Sequence, residues 1–268
     1  MPETSRKHFG PIRDDYAFFQ QHSTEAEQDL RAYVPHIHPL SMGDTPIRML
    51  DFGCGDGGFT AEFLAQSRFP QERLRLSLVE PDTTYRHQAV DRLQAYTPHP
   101  VRAWPALPPH LHAGFELILV NHVLYYVPDL EGTLAALLRA LATPGLFLAA
   151  MGGLDNTLAQ FCLRCFDVIG KPFPFRTAAD CEVALAHLGE AYRKEDVQYE
   201  CVFPDMEENR LRMGRFLLGS DYHVVPRQAL LEGFDPYAHA GQIAMQPVHQ
   251  HFIVRRPGQG RKLLAEQP

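Results

Sequence analysis

The chain has 268 residues, a hydrophobic content of 45% and a formal net charge of −7 at pH 7. This length and apolar content predict one large α/β domain with a sizeable core. The acidic balance argues against nucleic acid as a partner, and no apolar run approaches the ~20 residues of a membrane span. The N-terminus lacks an apolar signal segment and the five cysteines lack disulfide-scaffold spacing, so we expect reduced thiols and a cytoplasmic location.

Residues 1–45 are predicted to form an N-terminal helical cap. Residues 13–34 have the composition of helices, and the acids after Ser23-Thr24 predict a second helix start within this segment. Pro35, Pro39 and the following Gly-Asp-Thr-Pro turn are expected to close the cap, because proline interrupts helices.

From residue 46 onward, near-continuous apolar runs alternate with amphipathic helices. This alternation predicts parallel strands covered by helices on both faces. The predicted strands are 47–52, 74–80, a short one near Val101, 115–121 and 146–151, and the predicted helices between them are 59–66, 83–95 and 130–141.

The second half is less regular. Its predicted elements are helices 154–169 and 178–188, a strand 192–203, helices 207–219 and 226–234, and a closing strand 249–255. The long stretch between the last two strands exceeds what a hairpin needs, so we expect it to form a lid over the sheet with the N-terminal helices. The predicted plan is one domain, 1–268, comprising the cap (1–45), a cofactor-binding core (46–152), the second half of the sheet with the lid (153–256) and a mobile tail (257–268).

Two cofactor patterns overlap in the glycine-rich turn after the first strand: G-x-G-x-x-G at Gly53, Gly55 and Gly58, and D-x-G-x-G-x-G at Asp51, Gly53, Gly55 and Gly57. The first is the dinucleotide fingerprint, in which a pyrophosphate lies on a helix N-terminus. In the second, a carboxylate two residues before the first glycine suits a cationic ligand better than a diphosphate. Glu80, at the end of the second strand, can accept the ribose hydroxyls of an adenosine in either case.

The segment Asn121-His122-Val123-Leu124-Tyr125-Tyr126 follows the fourth strand, at the edge where open α/β sheets bind ligands. Together with the acidic glycine loop, Val79-Glu80-Pro81 and a Thr-Pro-Gly-Leu turn, it resembles the class I S-adenosylmethionine (SAM) methyltransferases. The resemblance implies their Rossmann-like fold, a seven-stranded mostly parallel sheet with helices on both faces, here with a helical substrate-binding cap. It also implies SAM as the cofactor and S-adenosyl-L-homocysteine (SAH) as its product.

A closer resemblance is to the histamine N-methyltransferase family, carried by 22–25, Val79–Pro81 and Leu124–Val127. It implies that Glu25 anchors an amine substrate and that residues beside the strand-four tyrosines line the pocket. This chain has His122 where the family has a glutamine, and no counterpart of the family's substrate-binding asparagine is found near the last strand. We therefore expect a small amine or azaheterocycle as the substrate rather than histamine.

Glu25 and His122 are the predicted catalytic residues. Glu25 would bind a cationic or N–H group, and His122 would hydrogen-bond the nucleophile or take its proton, since its ordinary pKa of about 6.5 lies near working pH. The predicted cofactor-binding residues are Asp51, Gly53, Gly55, Gly57, Glu80, Pro81, Trp104, Pro105, Asn121 and His122. The predicted substrate-binding residues are Tyr16, Phe19, Glu25, His122, Tyr125, Tyr126 and Phe161. Trp104 either flanks the adenine or packs in the core.

The sequence leaves three other functions open. An O-methyltransferase would use the same fold, and a protein of this fold can also bind its ligand without turnover. A NAD(P)-binding oxidoreductase is the third, and the lack of a Tyr-x-x-x-Lys pair disfavours it. No metal site is predicted: Cys162-x-x-Cys165 is interpreted as buried thiols, and His36-x-His38 and His249-x-His251 as solvated or structural pairs.

Overall fold

A computed structural model describes residues 10–109, 111 and 114–256, so the predicted mobile tail lies outside the described residues. The described helices are α1 (Arg13–His22), α2 (Glu25–Ser41), α3 (Gly58–Ser67), α4 (Thr83–Leu93), α5 (Leu130–Ala140), α6 (Thr157–Val168), α7 (Ala178–His187), α8 (Glu207–Leu218) and α9 (Arg227–Glu232). The described strands are β1 (Ile47–Phe52), β2 (Leu74–Val79), β3 (Arg102–Trp104), β4 (Phe115–Asn121), β5 (Leu141–Gly152), β6 (Arg193–Gln198), β7 (Cys201–Pro204), β8 (Ala238–His239), β9 (Gln242–Met245) and β10 (Val248–Arg256).

Seven of these strands form one sheet in the order β3-β2-β1-β4-β5-β10-β6. β10 runs antiparallel to β5 and β6, while the pairs formed by β1 to β5 are parallel. Helices α2, α3 and α4 contribute buried side chains to the cluster on one face, and α5 and α7 to the cluster on the other. The predicted Rossmann-like, mostly parallel seven-stranded sheet is confirmed.

The prolines do not interrupt the cap as expected, because α2 continues through Pro35 and Pro39 and ends at Ser41, just before the predicted Gly-Asp-Thr-Pro turn. Each proline removes a backbone hydrogen bond and costs about 3 kcal/mol in a helix interior. Tyr33 and Ile37 lie on the same face of α2 and are fully buried. Burying two such side chains stabilises the helix by about 1.5–3 kcal/mol each, so packing against the sheet offsets part of the cost.

The predicted single strand 192–203 is instead two strands, β6 and β7, that belong to different sheets. Between them, the chain bonds to the junction of α1 and α2: Glu200 N donates to Thr24 Oγ1, and Thr24 N donates to the Glu200 carbonyl, both at 2.9 Å. β7 then pairs with β9, and β9 with β8, in a small antiparallel sheet that periodicity did not predict.

A further hydrophobic cluster joins α1, α6, α8, α9 and the small sheet beside the main sheet. Asp15 of α1 binds Arg215 of α8 through both carboxylate oxygens, at 3.0 and 3.1 Å. The N-terminal helix is thereby attached to the segment between the last two strands of the main sheet. Among the described residues, no helix combines the length and apolar character needed to cross a membrane.

Candidate active site

The glycine loop after β1 has left-handed backbone angles. The φ angles of Gly53, Gly55 and Gly57 are +81°, +56° and +78°, a region that side chains with a Cβ rarely adopt. A Cβ on Gly53 would lie 2.4 Å from a methyl carbon of Val123, whereas a Cβ on Gly55 would meet nothing within 4 Å. Gly53 is therefore required by packing, and Gly55 faces open space that a ligand can enter.

Glu80 fixes this loop from the end of β2. Its Oε2 accepts a hydrogen bond from Gly55 N at 3.0 Å, and its Oε1 accepts one from Asp82 N at 2.9 Å. Burial raises the pKa of the Glu80 carboxyl, although these two backbone bonds act in the opposite direction. Because each carboxylate oxygen has two acceptor sites, both oxygens keep capacity for ligand hydroxyls.

Asp51 lies buried before the loop. It accepts a hydrogen bond from the Thr60 hydroxyl at the start of α3. Burial raises the pKa of Asp51 to about 7, with the Thr60 bond opposing and the charge of Glu80 adding to the rise. A bound cation nearby would favour the ionised form, in keeping with the acidic glycine pattern.

The other predicted cofactor residues are placed differently. Pro81 and Pro105 are exposed, and Trp104 is partly buried against the core, with its carbonyl accepting from Glu80 N at 3.0 Å. The Asn121 side chain bonds to Asp29 and Tyr33 of α2. Its amide is thus directed at the N-terminal helices.

A cavity of about 150 Å³ lies between α1, α2, the end of β4 and α6. Its lining includes six of the seven predicted substrate-binding residues, Tyr16, Phe19, Glu25, His122, Tyr125 and Tyr126. The structure does not bring Phe161 to this cavity: its ring stacks on Phe234 at 4.2 Å inside the cluster with α9. The same helix presents Leu158, Ala159 and Cys162 to the cavity instead.

Both ring nitrogens of His122 are engaged. Nε2 lies 3.0 Å from Asp29 Oδ2 and 3.7 Å from Glu25 Oε1, and Nδ1 lies 3.2 Å from the Tyr125 hydroxyl. The residue has a φ angle of +52°, uncommon outside glycine, and its backbone N donates to the Ala150 carbonyl. Strained residues of this kind concentrate at functional sites.

The charge state of His122 follows from its two acidic neighbours. Burial lowers the pKa of the imidazole, but the carboxylates of Glu25 and Asp29 outweigh burial and raise this pKa to about 9. At neutral pH the ring is therefore mostly an imidazolium paired with Asp29.

Asp29 is fully buried and is the residue that the sequence analysis missed. Its Oδ2 contacts Asn121 and His122, and its Oδ1 contacts His249 Nε2 at 2.6 Å and His251 Nε2 at 2.7 Å. Burial alone would raise the pKa of Asp29, but the charge of His122 and the bonds from all three histidines hold it well below its ordinary value. Two sequence patterns point to Asp29. Glu25 and Asp29 are four residues apart and so share one face of α2, and His249 and His251 are alternate residues of β10 and so share one face of the sheet.

The same side chains include metal-type donors. Glu25–His122–His249 and Asp29–His249–His251 each bring three ligand atoms within 4.8 Å of one another. A histidine that binds a metal almost always donates its other ring N–H to an acceptor. Nδ1 of His249 and Nδ1 of His251 are buried and have no partner within the described residues. The arrangement therefore fits a hydrogen-bonded carboxylate better than a metal centre.

The remaining pairs noted in the sequence have structural surroundings. Cys162 and Cys165 are buried thiols on α6, and His36 is buried with its Nε2 3.0 Å from Glu195. His249 and His251 are fully buried, so of the two interpretations offered for this pair the structural one applies.

Comparison with known proteins decides the class of protein. The family model described as a methyltransferase domain matches residues 24–160, which include the glycine loop, Glu80 and His122. The chain belongs to this family. It is a SAM-dependent methyltransferase, and its cofactor is SAM, so the NAD(P) alternative is set aside. Among proteins with curated functions, none matches the chain significantly.

Solved structures share the fold of this methyltransferase at low identity. YcgJ of Bacillus subtilis is 15% identical with a TM-score of 0.56, covering 85% of this chain and 100% of its own. The plantazolicin methyltransferase BpumL, solved with a desmethylPZN analogue and SAH, is 14% identical with a TM-score of 0.52, covering 91% of both chains. The [4+2]-cyclase SpnF is 15% identical with a TM-score of 0.51, covering 85% of this chain and 81% of its own. These likenesses show the shared fold. The family model gives the methyltransferase domain, and neither comparison supports the histamine N-methyltransferase family specifically.

Proposed function

We propose that this methyltransferase transfers a methyl group to the nitrogen of a small amine or nitrogen heterocycle. The observation that carries the proposal is the placement of the Glu25 carboxylate in the wall of a mostly apolar cavity, beside His122. The two carboxylates of Glu25 and Asp29 face a single imidazolium. Arg176 also lines the cavity, with its guanidinium donating to the Pro128 carbonyl. The local excess of negative charge around His122 is what a cationic substrate would neutralise.

The shape of the cavity supports a small substrate. Its volume of about 150 Å³ equals that of an engineered protein cavity that holds benzene. Aromatic rings supply most of the apolar wall, and ring faces attract ammonium and sulfonium charge. The rings that line it are those of Tyr16, Phe19, Tyr125, Tyr126, Phe173, Phe175, Tyr199 and Phe216.

When bound, SAM supplies an electrophilic methyl: the S–CH₃ bond breaks with its electrons staying on sulfur as the nitrogen lone pair forms the new N–CH₃ bond. The residues of the chain orient the nitrogen and exclude water from it. Glu25 would hold the amine through a charge-assisted hydrogen bond. Gly53, Gly55, Glu80 and Asp51 are the residues that would hold the cofactor, because the loop leaves open space at Gly55 and acceptor capacity at Glu80.

A small-molecule O-methyltransferase is the second candidate. The contact between His122 and Tyr125 would also serve a hydroxyl nucleophile, which must lose its proton. Glu25 favours the amine, because a carboxylate gains most from a cationic partner. We further propose a cytoplasmic enzyme that acts on a freely diffusing small molecule and not on a nucleic acid.

The Glu25→Gln variant tests the amine assignment, with Glu27→Gln as its matched control. Glu27 lies on the same helix and pairs with Arg31 at the surface. Loss of a hydrogen bond to a charged group costs about 1.5–3 kcal/mol, so we expect KM for a methylated amine to rise roughly 10- to 150-fold in Glu25→Gln. Calorimetric SAH binding should be unchanged in both variants. An unaltered KM in Glu25→Gln would remove Glu25 from substrate binding.

A further inference from the structure

The two nitrogens of His122 point to Asp29 and to the Tyr125 hydroxyl, so neither is left for a substrate. Tyr125 is placed differently. Its hydroxyl oxygen accepts a hydrogen bond from Gly152 N at 2.6 Å, and both Tyr125 and Gly152 line the cavity. His122 lines the cavity as well, so the hydroxyl links the imidazole to a backbone N–H among the residues of the cavity wall.

We propose that Tyr125, His122 and Asp29 form a proton relay, in which the Tyr125 hydroxyl is the catalytic group that meets the substrate. The proposal rests on the proposed N-methylation and gives the route by which an ammonium substrate loses its proton. Asp29 is a positioning residue, because it touches only His122 and the groups around it.

The relay moves two protons, one from the substrate to Tyr125 and one from Tyr125 to His122. In its acting form, which is the minor one at pH 7 and becomes populated as the pH approaches 9, His122 is neutral, with Nε2–H donated to Asp29 and Nδ1 accepting the Tyr125 O–H. The substrate N–H bond breaks and its proton passes to the Tyr125 oxygen, while the Tyr125 proton passes to His122 Nδ1. The substrate becomes a neutral amine with a free lone pair, and His122 becomes an imidazolium paired with Asp29. That proton returns to water after turnover.

Two features of the surroundings fit this role. Burial and the charge of Glu25 raise the pKa of the Tyr125 hydroxyl well above its ordinary value, so a free phenolate is disfavoured and the two protons move together; the bond from Gly152 N acts in the opposite direction. The His122 pKa of about 9 lies between the ordinary values of an α-amino group, about 8, and a lysine amine, about 10.4. Proton transfer from an aliphatic ammonium to this ring is thus close to balanced.

His249 and His251 hold the far side of the relay. Both direct Nε2 at Asp29 Oδ1, and Tyr33 stacks on the His251 ring at 4.2 Å. Burial lowers the pKa of His251, so this ring donates to Asp29 without adding charge. Among the described residues, the titratable groups that face His122 and its immediate partners are Glu25, Asp29, Tyr33, Tyr125, Tyr126, Tyr199, His249 and His251.

The first test compares two nucleophiles. A primary aliphatic amine must lose a proton before methyl transfer, whereas a pyridine-type nitrogen is already neutral at pH 7 and loses none. General acid–base groups contribute about 10²–10⁴-fold, so Tyr125→Phe should lower kcat/KM for the amine by at least about 100-fold. The same variant should alter methylation of the pyridine by only a few-fold. Equal losses for both nucleophiles would reduce Tyr125 to a pocket wall, and full amine activity would overturn the relay.

Tyr192→Phe is the matched control, because Tyr192 packs against Phe252 of the core away from the cavity. Circular dichroism and melting curves should show Tyr125→Phe and Tyr192→Phe folded alike. If SAM binds but neither nucleophile is methylated by the wild type, the proposed function fails and not the relay.

The second test needs no turnover. In the SAH-bound enzyme, NMR titration of labelled imidazoles should give a His122 pKa near 9, assigned with a His122→Gln variant. Removing an opposite charge in contact shifts a pKa by about 1–3 units, so Asp29→Asn should lower the His122 value by that amount. Tyr125→Phe, which removes no charge, should leave it nearly unchanged. A His122 pKa near 6.5 in the wild type would contradict the coupling to Asp29.

Discussion

The three glycines of the loop after β1 share left-handed backbone angles but differ in what surrounds them. Alanine at Gly53 would collide with Val123, whereas alanine at Gly55 would project into open space. We expect Gly53→Ala to destabilise the fold by about 1–3 kcal/mol beyond the backbone strain, because the core at Val123 would be overpacked. Gly55→Ala should cost only the strain of a left-handed alanine, about 1–2 kcal/mol.

Gly241→Ala is the control for backbone strain alone, since Gly241 has a φ angle of +77° and no atom within 4 Å of its added Cβ. Urea unfolding should give similar losses for Gly55→Ala and Gly241→Ala. Only Gly55→Ala should weaken SAH binding, by about tenfold or more, because its methyl group occupies the ligand's approach. Equal SAH affinity in these two variants would show that the ligand does not approach Gly55.

The raised pKa of Asp51 predicts that the stability of the fold depends on pH. Its pKa is raised from an unfolded value near 3.9 to about 7, so the folded state binds a proton that the unfolded state has released. The carboxyl therefore reduces stability as pH rises from about 4 to 7, and the full penalty persists above pH 7. Asp51→Asn keeps an acceptor for Thr60 but has no charge to bury. The variant should gain unfolding free energy over the wild-type apoenzyme between pH 5 and 8, measured by urea unfolding.

The pH dependence of cofactor affinity should have the opposite sign to that of stability. A cationic ligand favours the ionised carboxylate, so SAM affinity should rise as pH increases through about 7 in the wild type. In Asp51→Asn this rise should be absent. A gain of SAM affinity on acidification would show that Asp51 does not sense the cofactor's charge.

Helix α1 packs on α8 in a shared hydrophobic cluster, and one buried carboxylate adds an ion pair between them. Asp15 is paired with Arg215 and lies 3.7 Å from Arg212, and it is only 8% exposed. Asp15→Asn removes the charge that joins the two helices, so Arg215 keeps, within the described part of the chain, only Glu208 as a charged partner. We expect faster hydrogen exchange of amides in α1 and α8 while the central strands keep their protection.

Asp15→Asn should also weaken substrate binding, because α1 carries Tyr16 and Phe19 into the cavity wall. A several-fold rise in KM at nearly constant SAH affinity is expected for Asp15→Asn. Asp14→Asn, at the neighbouring exposed position, is the control. Exchange that speeds up equally in both variants would assign the effect to the helix N-terminus rather than to the bridge to α8.

Sequence patterns predict a helix or a strand where burial is periodic along the chain. They fail where contacts between distant residues determine the local structure. The predicted bounds of β1 and β4 coincide with the observed strands, because both are apolar runs buried in the sheet centre. The small sheet of β7, β9 and β8 escaped prediction because it is built from short strands paired over long sequence separations. α2 passes its prolines because its buried face packs on the sheet.

The site shows the same division. The loop glycines, Glu80 and His122 were proposed from the ends of strands, and Glu25 from the family resemblance. The structure places Glu25 and His122 at one cavity and joins Glu80 to the glycine loop. Asp29 was missed, since its partners His249 and His251 are more than two hundred residues away and meet it only through the packing of α2 on β10. Phe161 was wrongly predicted to line the cavity, because the sequence does not show which face of α6 points to it; that face carries Leu158 and Cys162.

At the scale of the whole molecule, the cofactor should stabilise the entire fold. A ligand at 100 times its Kd adds about 2.7 kcal/mol to the unfolding free energy of a protein that binds it only when folded. For a chain of this size, each kcal/mol raises Tm by about 2–4 °C, so SAH at that excess should raise Tm by roughly 5–11 °C.

NADH and NADPH at equal concentration are the controls, and both should leave Tm unchanged. A diphosphate would approach a loop that is flanked by the carboxyl groups of Asp51 and Glu80, on a chain with a net charge of −7. Each of these charges repels an anion and attracts the sulfonium and ammonium groups of SAM. Differential scanning calorimetry, followed by isothermal titration with SAH, measures both effects on the wild-type chain. A Tm shift with a nicotinamide cofactor that exceeds the shift with SAH would contradict the electrostatic preference of the glycine loop.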